Sequence, residues 1–287
     1  MKPPPFDYSR PTSLPEALAL LGPDSKVIAG GQSLLPMLNF RLLRPSLLVD
    51  IGRIQSLRGL HETPTHLEIG ATTSHRTLET HPLVAARFPV LAEAMRHVAH
   101  LAIRNRGTIG GSLSHADPAA EHPMLALLLD AQIQAAGPSG KRQIPARKFF
   151  QGSLTTALLE DEMVVAVRLP WLRPGTGWGF EEFALRAGDF ATACAAALLR
   201  AGPDGRITEA RLALMGVDET ALRVPEAEAL LLGSSPSAFG EAARLAQAAV
   251  RPATDIRASS GFRRHLVGVL VGRALEAAWG RAREGQA

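Results

Sequence analysis

Cysteine is all but missing. The 287 residues contain one, Cys194, so the chain can neither close an internal disulfide nor supply four thiolates to an iron–sulfur cluster. Cys194 lies in the apolar run ATACAAALL, which reads as the setting of a small core residue rather than a nucleophile. Aromatics are scarce at 5%, with a single tyrosine, so aliphatic and alanine packing has to fill the core. No apolar run approaches the roughly 18 residues that span a bilayer. MKPPPFDYSRP has no apolar stretch of the kind a secretory signal carries, and a cytoplasmic location is the expectation. Net charge is small, +4, and local: seven arginines from Arg251 onward face three acidic residues and account for the whole excess. The remainder is balanced, which excludes a general nucleic-acid-binding surface. The basic segment itself reads as a solvated helix face.

What is present is an ordinary globular composition, 46% hydrophobic and 20% charged, at a length for which two domains are the natural expectation. TSLPEALALLG predicts a helix capped by Ser13, with Glu16 completing a capping box and Gly22 ending it. KVIAG (26–30), SLLVDIG (46–52) and HLEIGATTS (66–74) have strand length and pattern, the last leading into a helix near 74–80. Residues 83–99 repeat with helical period, and PMLALLLDA (123–131) predicts another helix. QIQAAG (132–137) runs into a hairpin turn, and EMVVAVRLP (162–170) is a further strand. The Pro- and Gly-rich WLRPGTGWG (171–179) marks a domain boundary, placed at residue 175. Beyond it GFEEFAL, ATACAAALLR and RITEARLALMGV predict three antiparallel strands, with helices over 225–232, 236–250 and 259–283. The expected class is α+β, its second part a small three-stranded antiparallel sheet with helices.

Two short loops carry the chemistry. In the first, Ala29, Gly30, Gly31, Gln32, Ser33 and Leu34 follow a strand. In the second, Thr108, Ile109, Gly110, Gly111 and Ser112 again place a serine after a Gly–Gly pair. Adjacent glycines permit positive φ and close backbone approach, and successive N–H groups form a concave anion site. Neither GxGxxG nor GxxxxGK[ST] is present, which excludes the Rossmann and P-loop fingerprints. Two such loops with hydroxyl side chains predict a diphosphate held from both sides by N–H and O–H donors. Neither loop contains a cation, so neutralisation falls to hydrogen bonds and dipoles, with Arg104 and Arg106 close enough in sequence to add long-range attraction.

The rest of TIGGSLSHADPAAEH invites two other readings. Ser114, His115 and Asp117 lack a GxSxG elbow and sit too close together for a triad, which is usually assembled from distant segments. His115, Asp117, Glu121 and His122 have neither HExxH nor HxH spacing, and Pro118 breaks any helix that would align them on a metal. Asp117 instead suits the N-cap of a helix over 118–129 with Pro118 first. Glu121 suits a helix-start carboxylate accepting hydrogen bonds from sugar-like hydroxyls.

Together these segments resemble a known family. AGGQSLLPMLNFRL, TIGGSLSHADPAAE, LRAGDFATA and ATDIRASSGFRRHLVGVLVGRAL are similar, in that order, to the FAD-binding medium subunit of molybdenum hydroxylases, the carbon monoxide dehydrogenase and xanthine dehydrogenase type. The similarity runs from FDYSRPTSLPEALALL to near residue 278. It implies a two-part FAD-binding domain of the vanillyl-alcohol-oxidase/CO-dehydrogenase flavoprotein type (PCMH-type) over 1–175. A CO dehydrogenase flavoprotein-like C-terminal domain then covers 176–287. It implies that residues 29–34 and 108–112 wrap the FAD diphosphate and that Glu121 faces the ribityl or ribose hydroxyls. It further implies that Val164 makes an apolar backbone contact near the flavin, and that Phe190, beside Asp189, is the aromatic next to the isoalloxazine ring. Ser112 stands where the family often has Asn, and Asn39–Phe40 replaces a common Met–Lys pair. Glu182 takes a place often held by Lys, so no flavin-tuning cation is assigned. The inserted cysteine-bearing loop that carries an extra iron–sulfur cluster in some members is missing.

The implied role is electron transfer. A large partner subunit with a molybdenum cofactor would hydroxylate the substrate, and electrons would pass through [2Fe–2S] clusters of a small subunit to the FAD of this chain. From there they would reach an external acceptor, the whole forming a dimer of heterotrimers. No side chain of this chain is required as general acid or base, and none as a metal ligand. Two other readings stay open at this point: a self-contained FAD-dependent oxidoreductase that binds its own substrate, and a nucleotide-binding scaffold without a redox role.

Overall fold

The computed structural model describes residues 2–285, which fall into two compact units. The first takes residues up to 78 with 100–116 and 130–170; the second takes 79–99, 117–129 and the chain from 171 onward.

In the first unit, β1 (Asp7–Ser9), β2 (Ser25–Ile28) and β3 (Leu47–Asp50) form a parallel sheet in the order β1-β3-β2. The helix Leu34–Asn39 crosses from β2 to β3, so the AGGQSL turn sits at the carboxyl end of a parallel strand, where open α/β sheets bind ligands. An antiparallel sheet follows, made of β4 (Leu60–Glu62), β5 (His66–Gly70), β6 (Gln132–Gly137) and β7 (Gly140–Pro145). Between β7 and the last sheet strand lies a small ribbon, β8 (Phe150–Gly152) with β9 (Thr155–Thr156). The strand β10 (Met163–Pro170) then enters the middle, giving the order β4-β5-β10-β6-β7. Val49, Ile51, Ile54 and Leu57 pack with Ala136, Met163 and Val165 in one core. Ser13 caps the helix Leu14–Leu18 as expected, and Glu16 closes the box one residue early, accepting the Thr12 N–H at 3.0 Å.

In the second unit, β11 (Thr176–Phe183), β12 (Ala193–Ala201), β13 (Ile207–Met215) and β14 (Leu222–Arg223) form an antiparallel sheet in that order. The helix Ser260–Glu284 packs on β11 and β12, and Glu121–Leu128 packs on β12 and β13. With both faces covered, β12 is buried from Ala193 to Leu199, which explains a run of small apolar residues without alternation. Cys194 is buried there, and burial pushes its thiol well above the usual range.

Several expectations change. The sheet has four strands rather than three, because a two-residue strand carries no readable period. β11 begins inside the Gly/Pro-rich segment, at Thr176. Residues 83–99 form two helices, Pro82–Arg87 and Pro89–His97, since Pro89 has no N–H to continue the ladder. Asp117 does not cap a helix over 118–129; its Oδ1 accepts the Ala119 N–H at 2.9 Å, and the helix begins at Glu121 behind Ala120. The basic C-terminal segment is not merely solvated. Arg263 is buried, donates to the Thr192 and Gly216 carbonyls and pairs with Asp255 at 2.7 Å, while Arg281 lies 3.7 Å over the Trp178 ring. Among the described residues no helix is long and apolar enough to cross a membrane.

Candidate functional site

The first unit contains a cavity of about 360 Å³ at the carboxyl ends of β2 and β3. Ala29 follows β2 and Gly52 follows β3, and both line it. The AGGQSL turn is shaped by its glycines. Gly31 has φ +71, which an L side chain rarely adopts. A Cβ on Gly30 would lie 2.6 Å from the Arg106 carbonyl carbon and 2.8 Å from Gly107 Cα. The turn is therefore clamped directly against the 105–108 segment, of which Asn105, Arg106 and Thr108 also line the cavity.

The donors of this turn are unspent. Among the described residues no protein acceptor takes the N–H of Gly31, Gln32, Ser33 or Leu34, whereas the Leu35 N–H already bonds back to the Gly31 carbonyl. Gln32 folds over the turn, its Nε2 donating to the Gly30 carbonyl at 2.8 Å. The Ser33 hydroxyl makes no bond to the protein among the described residues. Four adjacent unpaired N–H groups on a glycine turn fit an anionic group with several acceptor oxygens, such as a dinucleotide diphosphate.

The second glycine pair is built differently from the loop expected. Thr108 is the N-cap of the helix Ile109–His115, so Gly110 and Gly111 are helical. The Ile109 N–H bonds to Thr73 O, Gly110 to Ala71 O, Gly111 to Thr108 Oγ1 and Ser112 to Thr108 O. None of the four is left to hold a ligand. Gly110 is glycine because a Cβ there would sit 2.6 Å from that of Ala71. What this segment turns to the cavity is Thr108 itself. Val164 lies on β10, buried, beside the bulge that breaks register with β6.

Eight of the lining residues are given no site role by the sequence motifs, among them Arg58, Thr72, Thr73, Ser74 and Thr77. The hydroxyl run in GATTSHRT was a legible signal, since four hydroxyls in six residues exceed what a strand end needs. Arg58 had no such signal.

Glu121 and Phe190 belong to the second unit. Phe190 is about half exposed (48%) on the turn between β11 and β12, where the Asp189 N–H bonds to Arg186 O. Glu121 opens a wholly buried helix. Burial first, then the neighbouring Glu182 and Asp117 carboxylates, push its carboxyl up to about 8. Glu182, on β11 opposite Cys194, is raised to about 7 by burial. Its Oε2 has no partner among the described residues, and its Oε1 lies 4.0 Å from His97 Nδ1. Ser114 and His115 fall in the first unit, Asp117 and His122 in the second. No group of three or more His, Cys, Asp or Glu side chains suited to a metal occurs among the described residues.

Comparison with known proteins bears on both units. Residues 4–172 match the family described as FAD binding domain in molybdopterin dehydrogenase, and residues 178–278 the CO dehydrogenase flavoprotein C-terminal domain. The chain is 42% identical to the carbon monoxide dehydrogenase medium chain of Hydrogenophaga pseudoflava, over 98% of this chain and 99% of that one. It is 43% identical to the 6-hydroxypseudooxynicotine dehydrogenase complex subunit alpha of Paenarthrobacter nicotinovorans, over 99% and 97% of the two chains. Among solved structures it is similar to a chain of the Hydrogenophaga pseudoflava carbon monoxide dehydrogenase that lacks the Mo-pyranopterin moiety of its cofactor. The TM-score is 0.95 and the identity 44%, over 98% of this chain and 99% of that one.

Proposed function

The chain belongs to the family of FAD-binding medium subunits of molybdenum hydroxylases, and on that premise we propose that it is the FAD-carrying electron-transfer subunit of such a complex. It accepts electrons from the [2Fe–2S] centres of a small partner subunit and passes them to an external acceptor. A large subunit holding the molybdenum cofactor oxidises the substrate, and the assembly is a cytoplasmic dimer of heterotrimers. The FAD module ends near residue 175.

The observation that carries this reading is the run of unspent N–H groups from Gly31 to Leu34, in a turn whose first residue, Ala29, lines the cavity together with Thr108. FAD, when bound, supplies a centre that can take electrons singly and give them up in pairs. The chain's own residues bind and orient. Gly31 to Leu34 donate to the diphosphate, and Ser33, Thr108 and Ser112 add hydroxyls. Ile109, Gly110 and Gly111 hold Thr108 in place rather than touching the ligand through their N–H groups. Glu121, Val164 and Phe190 take the remaining family positions, and none needs to move a proton from substrate.

Purifying the native complex and assaying molybdenum, iron and flavin tests the assignment. All three are expected to co-purify with the chain, and a complex without either metal would overturn it. At the turn, Ser33→Ala should weaken FAD binding by about one hydrogen bond to a charged group, roughly 1.5–3 kcal/mol. Flavin fluorescence titration reads this, and unchanged affinity would remove Ser33 from the site.

A further inference from the structure

The glycine turn contributes donors but no charge, and a diphosphate carries two negative charges. Two side chains at the same cavity can answer them. Arg58 and Arg106 both line it, both are exposed, and neither pairs with a carboxylate among the described residues.

Their mounting is specific. Arg58 lies between two residues pinned by the ATT run. The Thr72 N–H and hydroxyl both donate to the Leu57 carbonyl at 2.8 Å. The Gly59 N–H donates to Thr73 Oγ1 at 3.0 Å, and the Thr73 hydroxyl returns a bond to the Gly59 carbonyl at 3.1 Å. The Arg58 guanidinium itself only grazes the protein, with Nη2 3.5 Å from the Gly52 carbonyl at the cavity wall. Arg106 is fixed from the other side, since its carbonyl occupies the space a Gly30 Cβ would need. With the backbone beneath each guanidinium already fixed, only side-chain freedom is lost on meeting an anion, and the planar fork keeps that loss small per hydrogen bond.

We propose that Arg58 and Arg106 form the cationic wall of the dinucleotide cavity and bind the diphosphate of FAD together with the glycine turn, against which the Arg106 backbone packs. Thr72 and Thr73 are positioning residues for Arg58. This rests on the FAD reading above and adds to it the charge that neither glycine motif contains.

The test is titration of the flavin-free full-length chain with FAD, following fluorescence quenching across a range of salt concentrations. Between about 0.1 and 1 M salt the screening length falls from about 10 to about 3 Å, so the wild-type Kd is expected to rise. Arg58→Gln and Arg106→Gln should each raise Kd at low salt about tenfold, the worth of one charge-assisted contact, and flatten the salt dependence. Arg58→Lys should recover part of the loss. A chain that binds no FAD at all would sink the functional reading. FAD binding by wild type that is indifferent to salt, or by both glutamine variants at unchanged Kd, would leave that reading intact and overturn this inference. The wild-type salt series needs no variant to fold.

Discussion

Gly30→Ala is expected to leave the chain colourless after gel filtration, with FAD affinity reduced at least about a hundredfold. The added Cβ would fall 2.6 Å from the Arg106 carbonyl carbon and 2.8 Å from Gly107 Cα. Both are backbone atoms, so no rotamer change relieves the overlap, and the turn after β2 must move away from the 105–108 segment. That movement costs about 1–3 kcal/mol of stability by overpacking alone. It also misaims the N–H groups of Gly31 to Leu34, and losing two bonds to a charged group accounts for a hundredfold on its own. Bound flavin per chain, with circular dichroism to confirm folding, is the measurement; a folded Gly30→Ala chain that keeps its flavin would show that the turn does not meet the diphosphate. Gly111 provides the contrast. Its nearest obstacle is the Thr108 hydroxyl at 2.9 Å, a side chain that can rotate, so even Gly111→Val acts by disturbing the Thr108 cap rather than by filling a ligand site.

The two glycine pairs look alike in sequence and differ in what they do, and the reason is local. AGGQSL is legible because it follows a short strand and precedes a helix, which leaves its N–H groups unspent. TIGGS shares the composition, but beside an isolated bridge between Ser74 and Thr108 the Ile109 and Gly110 N–H groups bond to the Thr73 and Ala71 carbonyls, and Thr108 itself takes those of Gly111 and Ser112. No pattern within five residues encodes that bridge. Arg58 is beyond sequence reading for a similar reason, since its place depends on Thr72 and Thr73 bonding to a segment some fifteen residues away. The break at Phe88–Pro89, by contrast, follows from proline alone. The overall α+β order was legible because the long strands β10, β12 and β13 carry strong apolar runs.

The acidic pair of the second unit was hidden by the ordinary expectation that glutamates are solvated, and it carries the last large effect. The flavin-free chain should lose stability as pH rises from mildly acidic to mildly alkaline, and Glu182→Gln should remove much of that loss. The ordinary carboxyl value is 4.5, while Glu182 is raised to about 7 and Glu121 to about 8. Below 4.5 both carboxyls are neutral in either state, and the fold is not penalised. Between 4.5 and the raised values the unfolded chain releases its protons while the folded chain retains them, so proton linkage favours unfolding. Above about 8 the fold must hold both charges, with Glu182 Oε2 still unpartnered. For Glu182 the displacement corresponds to roughly 3 kcal/mol between the two ends of that window. Thermal melting of wild type and Glu182→Gln at the acidic and alkaline ends gives the comparison. The variant should match wild type under acidic conditions and melt several degrees higher under alkaline ones. Parallel pH slopes for the two proteins would mean that the Glu182 carboxyl stays solvated and charged in the folded chain.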